Sequence, residues 1–244
     1  PQAPDLAVIA TPAPSVPGLI HDVSARGARA TVVISAGFSN KDLRQRLLDS
    51  SAPTLTRIVG PNSLGFLSPA GGINASFSHL KPRKGRIALL SQSGAILTSM
   101  IDWAGARGIG FSHLVSLGDM SDVDFGDLLD YLALDAATDA ILLYVETITH
   151  ARKFMSAARI AARAKPVIVV KAGRSVGGAR AAATHTGALA GADLVYDAAF
   201  RRAGMLRVDG LRDLFTAAEM LASGVRVNGD QLTIVTNGGG AGVL

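Results

Sequence analysis

The chain has 244 residues, 48% of them hydrophobic and 27 of them glycine, which is enough for one large domain or two medium ones with real cores. It has no cysteine, so disulfides, thiolate metal sites and a cysteine nucleophile are excluded. A net charge of +5 from 24 basic and 19 acidic residues, without a dense basic block and with 5% aromatics, speaks against nucleic-acid binding and suits a small phosphate-bearing ligand. Along the chain, strands are expected at Leu6–Ala10, Ala30–Ser35, Thr56–Val59, Arg86–Ser91, Phe111–Ser116, Ala140–Tyr144, Pro166–Lys171, Met205–Val208 and Leu232–Thr236. Helix-period segments lie between most of them: Val16–Arg26, Ile96–Arg107, Phe125–Leu134, Ala151–Ala164, Asp193–Ala203 and Leu211–Ala222. The alternation predicts an α/β protein with parallel sheets covered by helices.

Between Phe66 and Gly85 the periodicity breaks into Gly, Pro and charge, which places a boundary near residue 80. The expected units are 1–80, the later part of a Rossmann-like domain plus linker; 81–226, a doubly wound flavodoxin-like domain; and 227–244, the start of a second such domain. The Gly-rich first turn expected of a mononucleotide-binding sheet is absent, and the chain closes on a strand-to-turn segment, so the sequence reads as a fragment. No run of about 18 apolar residues occurs, and Pro1-Gln2-Ala3-Pro4 lacks the layout of a signal peptide, so a soluble cytoplasmic protein without a membrane partner is expected.

In a doubly wound sheet, ligands gather beyond the carboxyl ends of strands where the strand order reverses. Three segments map to such ends: Ser91-Gln92-Ser93-Gly94, Glu146-Thr147, and Lys171 to Gly191 with His185. Ser91, Ser93 and Gly94 lead into a helix, so hydroxyls and unpaired amides would face a phosphate; alternatively Ser93 is only an N-cap. His185 can be a nucleophile toward phosphorus if a carboxylate such as Glu146 fixes its tautomer, or it is a loop side chain satisfied by backbone. His21, His79, His113 and His150 read as structural. Gly238, Gly239 and Gly240, after the last strand, suggest a second phosphate cradle. The acidic run Asp119, Asp122, Asp124, Asp127 and Asp130 lacks calcium-loop spacing and reads as helix-start carboxylates and a solvated face, so no metal site is assigned.

With Ile9–Pro14, Val33–Gly37, Gly60–Gly65, Gly85–Gly94 and Thr184–Gly191, these residues make a chain that resembles the NDP-forming acyl-CoA synthetases, meaning the succinyl-CoA synthetase α subunit and the ADP-forming acetyl-CoA synthetases. The resemblance implies a CoA-binding Rossmann-like domain followed by a flavodoxin-like, succinyl-CoA synthetase-like domain. It implies that His185 is phosphorylated, that Glu146 supports it, and that Ser91, Ser93 and Gly94 start one phosphate-holding helix while Gly238–Gly240 start the other. Thr11, Pro12, Ser35, Ala36, Gly37, Asn62 and Ser63 match loops lining the CoA site. The implied reaction interconverts acyl-CoA and acyl phosphate and relays phosphoryl through His185. Its partners would be CoA, an acetate-like carboxylic acid and phosphate, with ATP/ADP and Mg²⁺ on a separate ATP-grasp domain or subunit, in a homo-oligomer. Ile73–Ser78, Ile101–Ala104, Asp127–Leu132 and Ala140–Glu146 also look like Pat-type protein lysine acetyltransferases, so the alternative is a non-catalytic acyl-CoA-binding regulatory region beside an acetyltransferase domain.

Overall fold

The computed structural model describes residues 4–174, 193–225, 229–230, 233–237 and 239–242. The first sheet has three parallel strands in the order β1-β2-β3: β1 (Leu6–Ile9), β2 (Ala30–Val33) and β3 (Arg57–Val59). Helix α1 (Val16–Ala25) starts with proline in its first turn, where the missing N–H costs nothing, and buries Val16, Pro17, Ile20 and Ser24. A second helix of this part, α2 (Lys41–Ser51), is not singled out by sequence, because its polar residues leave only Leu47 and Ser51 buried and so no apolar stripe. It is marked instead by its start: the Asn40 side chain accepts the Asp42 amide at 2.8 Å. Ile9, Val16, Ile20, Val33, Phe38, Leu47 and Ile58 form the core of this part.

The second sheet has seven strands: β4 (Gly65–Ser68), β5 (Ile73–Ser76), β6 (Arg83–Ser91), β7 (Gly110–Ser116), β8 (Ala140–Val145), β9 (Val167–Lys171) and β10 (Leu206–Val208). Their order is β10-β9-β8-β6-β7-β4-β5, and the five parallel strands within it follow the flavodoxin order, with the reversal between β6 and β8. Alternate residues of each central strand face opposite sides. Ala88, Leu90, Ile141 and Leu143 pack under α4 (Phe125–Leu134), α5 (Ala151–Ala164) and α6 (Asp193–Ala203). Ile87, Leu89 and Leu142 pack under α3 (Gly94–Ala106) and α7 (Leu211–Ala222).

Two stretches differ from the sequence reading. Residues 66–85 are not devoid of regular structure: β4 and β5 form an antiparallel hairpin, and β4 pairs with β7, so this sheet takes in residues on both sides of position 80. Four-residue strands such as Ile73-Asn74-Ala75-Ser76 show too little alternation to be read by pattern, and at an edge their polarity is tolerated. Residues 233–236, expected as a strand, lie outside both sheets, with Ile234 and Val235 exposed. β-branched residues favour a strand but do not make one without a sheet to join.

The two sheets are clasped together. Residues 119–123 run beside 58–62 through the bonds Asp119 N–H to Pro61 O (2.9 Å), Ser121 N–H to Gly60 O (3.1 Å) and Val123 N–H to Ile58 O (3.1 Å). Asp122 accepts the Ile58 amide at 2.8 Å and the Arg57 guanidinium at 3.0 Å, and Asp127 also pairs with Arg57 at 3.2 Å. Asp124 caps α4 in a reciprocal capping box with Asp127, and Lys153 bridges both carboxylates. The acidic run is therefore spent largely on fastening and capping rather than on a solvated face. Among the described residues, no cluster of His, Asp or Glu is arranged to hold a metal ion, and no helix is long and apolar enough to cross a membrane.

A pH dependence follows from the Asp135 carboxylate. Burial opposes its charge, but hydrogen bonds from Thr138 and the Ala137 amide, together with neighbouring His113, outweigh burial and hold it below its ordinary value of 3.8. A depressed carboxyl stabilises the fold fully above the ordinary value, and that contribution is lost as pH falls through the lower folded value. Thermal melts should therefore show stability falling below about pH 4, and Asp135→Asn should flatten that slope. An unchanged slope would remove Asp135 from the account.

Candidate functional site

The loops after β6 and β8 meet at the reversal point, and the joint is Gln92. Its Oε1 accepts the amides of Glu146 at 2.7 Å and Thr147 at 2.9 Å, while its own N–H donates to Tyr144 O at 3.3 Å. Ser91, fully buried, donates to Ser93 O at 2.7 Å and accepts the Ser93 amide at 3.0 Å, which tightens the turn into α3. Ser93 is the N-cap of α3, accepting the Ile96 amide at 3.4 Å. The capping role and the phosphate role are compatible, because a capped helix still presents first-turn amides and its positive dipole end. Gln92 stands inside the Ser91–Gly94 motif, but nothing in the sequence marks it for this task. A side-chain amide bonding two amides more than fifty residues away leaves no trace in periodicity.

β9 ends beside this joint. Lys171 is the register partner of Val145 and so lies next to Glu146. Burial pulls the Lys171 ammonium below its ordinary pKa; the charges of Asp193 and Glu146 oppose that shift and Arg207 adds to it. Burial and the Glu146 charge raise the Tyr144 hydroxyl. A groove of about 640 Å³ opens here, lined in part by Tyr144, Lys171, Arg174, Asp209 and Gly210. A larger cavity of about 1010 Å³ lies around Lys84, Arg86 and Lys165, at the amino ends of the strands. Doubly wound sheets bind at the carboxyl ends, so the smaller groove is the candidate.

His185 falls in 175–192, outside the described residues, as does Gly238. The described residues flanking that segment meet: Arg174 Nε lies 3.8 Å from Asp193 Oδ2, and Arg174 also pairs with Asp209. The other histidines lie elsewhere. His21 and His79 are exposed, His113 contacts Asp135 at 3.1 Å, and His150 contacts Asp124 at 3.0 Å. Gly239 and Gly240 belong to an exposed 3₁₀ turn where an added Cβ would meet nothing within 4 Å. No described contact brings that turn to the strand ends.

The loops after β1, β2 and β3 converge at the carboxyl ends of the first sheet. Ser35 Oγ donates to Thr11 O, and the Asn62 amide donates to Ser35 O at 2.9 Å. Pro12, Ala36 and Gly37 are exposed around them, and Gly37 takes the left-handed φ of 103° that a side chain would resist. Ser63 departs from this group: it is buried and donates to Ser116 O at 2.5 Å, tying the loop to β7. The same loop touches the other site, since a Cβ on Gly94 would lie 3.3 Å from Leu64 Cβ. One loop therefore borders both the first-sheet cluster and the amino end of α3.

Gln92→Ala would leave the Glu146 and Thr147 amides without their acceptor. We expect a loss of about 1–2 kcal/mol in denaturant unfolding, the cost of two partly buried donors left unsatisfied. Gln92→Glu, which keeps an acceptor, should recover most of it. Equal stability of Gln92→Ala and wild type would remove Gln92 as the joint.

The succinyl-CoA ligase like flavodoxin domain model matches residues 84–221. The acetate–CoA ligase [ADP-forming] I of Archaeoglobus fulgidus is 43% identical over the whole chain, which covers 36% of that protein. The acetate–CoA ligase [ADP-forming] I subunit alpha of Pyrococcus furiosus is 40% identical over the whole chain, covering 54% of it. The dinucleotide-forming acetyl-coenzyme A synthetase 1 of Ca. Korarchaeum cryptofilum, solved with phosphate and ADP, superposes with a TM-score of 0.94 at 38% identity, over all of this chain and 53% of that one. The chain thus spans roughly a third to a half of the length of these relatives. They are CoA ligases and synthetases, and they lend no support to the acetyltransferase-linked alternative.

Proposed function

Because the chain belongs to the family of the succinyl-CoA ligase like flavodoxin domain, we propose that it is the CoA-binding and phosphohistidine core of an NDP-forming acyl-CoA synthetase of the acetate–CoA ligase type. The observation that carries this reading is the joint at Gln92, which binds the turn entering α3 to the backbone of Glu146 at the reversal point. The relatives named ADP-forming acetate–CoA ligases support the same reaction class.

In this proposal phosphate attacks the carbonyl of an acyl-CoA held by the loops at Thr11, Ser35 and Asn62, expelling CoA as its thiolate and forming an acyl phosphate. The His185 imidazole then attacks phosphorus, releasing the carboxylate, and Glu146 stabilises the cationic ring that results. First-turn amides of α3 offset the charge on the transferring group, and Gly238–Gly240 would do so from a second side. The loop from Asn62 to Leu64 supports the short path between the two steps, since it borders both clusters. Phosphohistidine finally passes its phosphoryl group to ADP. The nucleotide and its Mg²⁺ are assigned to an ATP-grasp domain or subunit, as the resemblance to the NDP-forming acyl-CoA synthetases implies. A homo-oligomeric assembly in the cytoplasm completes the proposal.

The test is to supply the full-length protein with acetate, CoA, ATP and Mg²⁺. Acetyl-CoA, ADP and phosphate should form together, with an acid-labile phosphoprotein on the way. Binding of acetyl-CoA without turnover or phosphoprotein would overturn the reading.

A further inference from the structure

Three serines lie buried where the loop of residues 62–65 meets the carboxyl ends of β6 and β7. Ser63 is 3% exposed, and Ser91 and Ser116 are fully enclosed. Ser116 ends β7 opposite Ser91, the last residue of β6, and the loop grips it through both its carbonyl and its hydroxyl. The carbonyl accepts the Ser63 hydroxyl at 2.5 Å, and the Ser116 hydroxyl accepts the Leu64 amide at 3.0 Å. The Ser63 hydroxyl in turn accepts the Gly65 amide at 2.8 Å. An apolar residue at position 116 would leave the buried Leu64 amide without this acceptor.

From this clasp the bonding runs in two directions. Toward the first sheet, Asn62 donates its amide to Ser35 O at 2.9 Å. Toward the second, the Leu117 amide donates to Ser91 O at 2.8 Å, and the Ser91 hydroxyl is bonded to both the carbonyl and the amide of Ser93, the N-cap of α3. The contact with α3 is also steric. A Cβ on Gly94 would lie 3.3 Å from Leu64 Cβ and 3.9 Å from Ser116 Oγ, so the first turn of α3 rests on the loop that Ser116 holds. Segments packed this closely pass a shift in one on to the other.

Building on the proposed acyl phosphate chemistry, we propose that Ser116 is a positioning residue for the transfer of the acyl group from CoA to phosphate. In that step a phosphate oxygen bonds to the carbonyl carbon, the C–S bond breaks with its electron pair on sulfur, and the phosphate proton ends on the expelled thiolate. The acyl-CoA is assigned to the loop at Asn62 and the phosphate to the first turn of α3. Their separation is then set by the clasp, whose central residue Ser116 is too deeply buried to touch either ligand. Attack needs the reacting atoms about 3–3.5 Å apart, and a displacement of about 1 Å costs about 100-fold in rate.

The experiment gives the full-length protein acetyl-CoA and inorganic phosphate and measures the CoA thiol released, a half-reaction that does not use His185. Rates are taken well below the melting temperature of each variant. Ser116→Ala should lower kcat about 100-fold. KM for both substrates should stay nearly unchanged, because the Asn62 bond to Ser35 and the first-turn amides of α3 remain in place. Ser63→Ala breaks the other half of the same clasp, so the double variant should be little slower than Ser116→Ala alone.

An unchanged kcat in folded Ser116→Ala, whatever its melting temperature, overturns the inference and leaves Ser116 a structural residue. A raised KM at the wild-type kcat overturns it too, since Ser116 would then shape the binding of one ligand rather than the spacing of two. Should Ser116→Ala not fold, Ser63→Ala is judged by the same split between kcat and KM. If wild type releases no CoA when phosphate is added, the acyl phosphate reading falls and takes the inference with it.

Discussion

In the full-length protein, His185→Ala is expected to abolish the acid-labile phosphoprotein formed with ATP and Mg²⁺, lowering acyl-CoA synthesis by more than about 10⁴-fold, as when a covalent nucleophile is removed. The size of the effect rests on the lack of a substitute: His21 and His79 are exposed, His113 is held by Asp135, and His150 by Asp124. The loss should be selective, because exchange between acyl-CoA and acyl phosphate uses phosphate and the carbonyl but not the imidazole. Release of CoA from acetyl-CoA on adding phosphate should therefore survive in the variant. Phosphoprotein that persists in His185→Ala, or label recovered on another residue, would sink the assignment. Loss of both partial reactions would mean that the variant disturbs the site as a whole.

The second large effect is on stability. Gly118 has φ 56°, and a Cβ there would lie 2.1 Å from Pro61 O and 2.5 Å from Asn62 O. Both obstacles are backbone atoms of the clasp, so no side-chain rotation relieves them. Gly118→Ala combines left-handed strain with displacement of a hydrogen-bonded segment, and we expect it to cost about 3–5 kcal/mol in denaturant unfolding. Asn62 is in the displaced loop and its amide bonds to Ser35 O, so any folded variant should also bind CoA more weakly. A midpoint within experimental error of wild type would mean that the clasp yields, and that the two sheets are not held as the hydrogen bonds at Pro61, Gly60 and Ile58 imply.

The parallel sheets were legible because buried strands such as Ile141–Val145 and Val167–Val170 are near-continuous apolar runs between helix-period segments. The meeting of Ser91–Gly94 with Glu146 was legible from topology, since both are carboxyl ends of neighbouring strands. What holds them was not legible, because Gln92 acts through one oxygen on a distant backbone. The same is true of Asp122, whose partner Arg57 lies in the other sheet. The α2 helix and the β4–β5 hairpin escaped for an energetic reason: each buries few apolar side chains, so tertiary contacts decide its conformation more than its own pattern does. The roles of His185 and Gly238 rest on resemblance and topology, as both residues lie outside the described structure.

The β4–β5 hairpin has a practical consequence for anyone dissecting the protein. It covers β7, pairing Phe66 with Val115 and Leu67 with Leu114. A fragment begun at residue 81 would keep the five parallel strands but strip the β4 partner from the edge of β7 at Leu114 and Val115, both buried in the intact chain. Such an edge is a template for foreign strands, and the fragment should precipitate or self-associate where one begun at Gly60 stays monodisperse in size-exclusion chromatography.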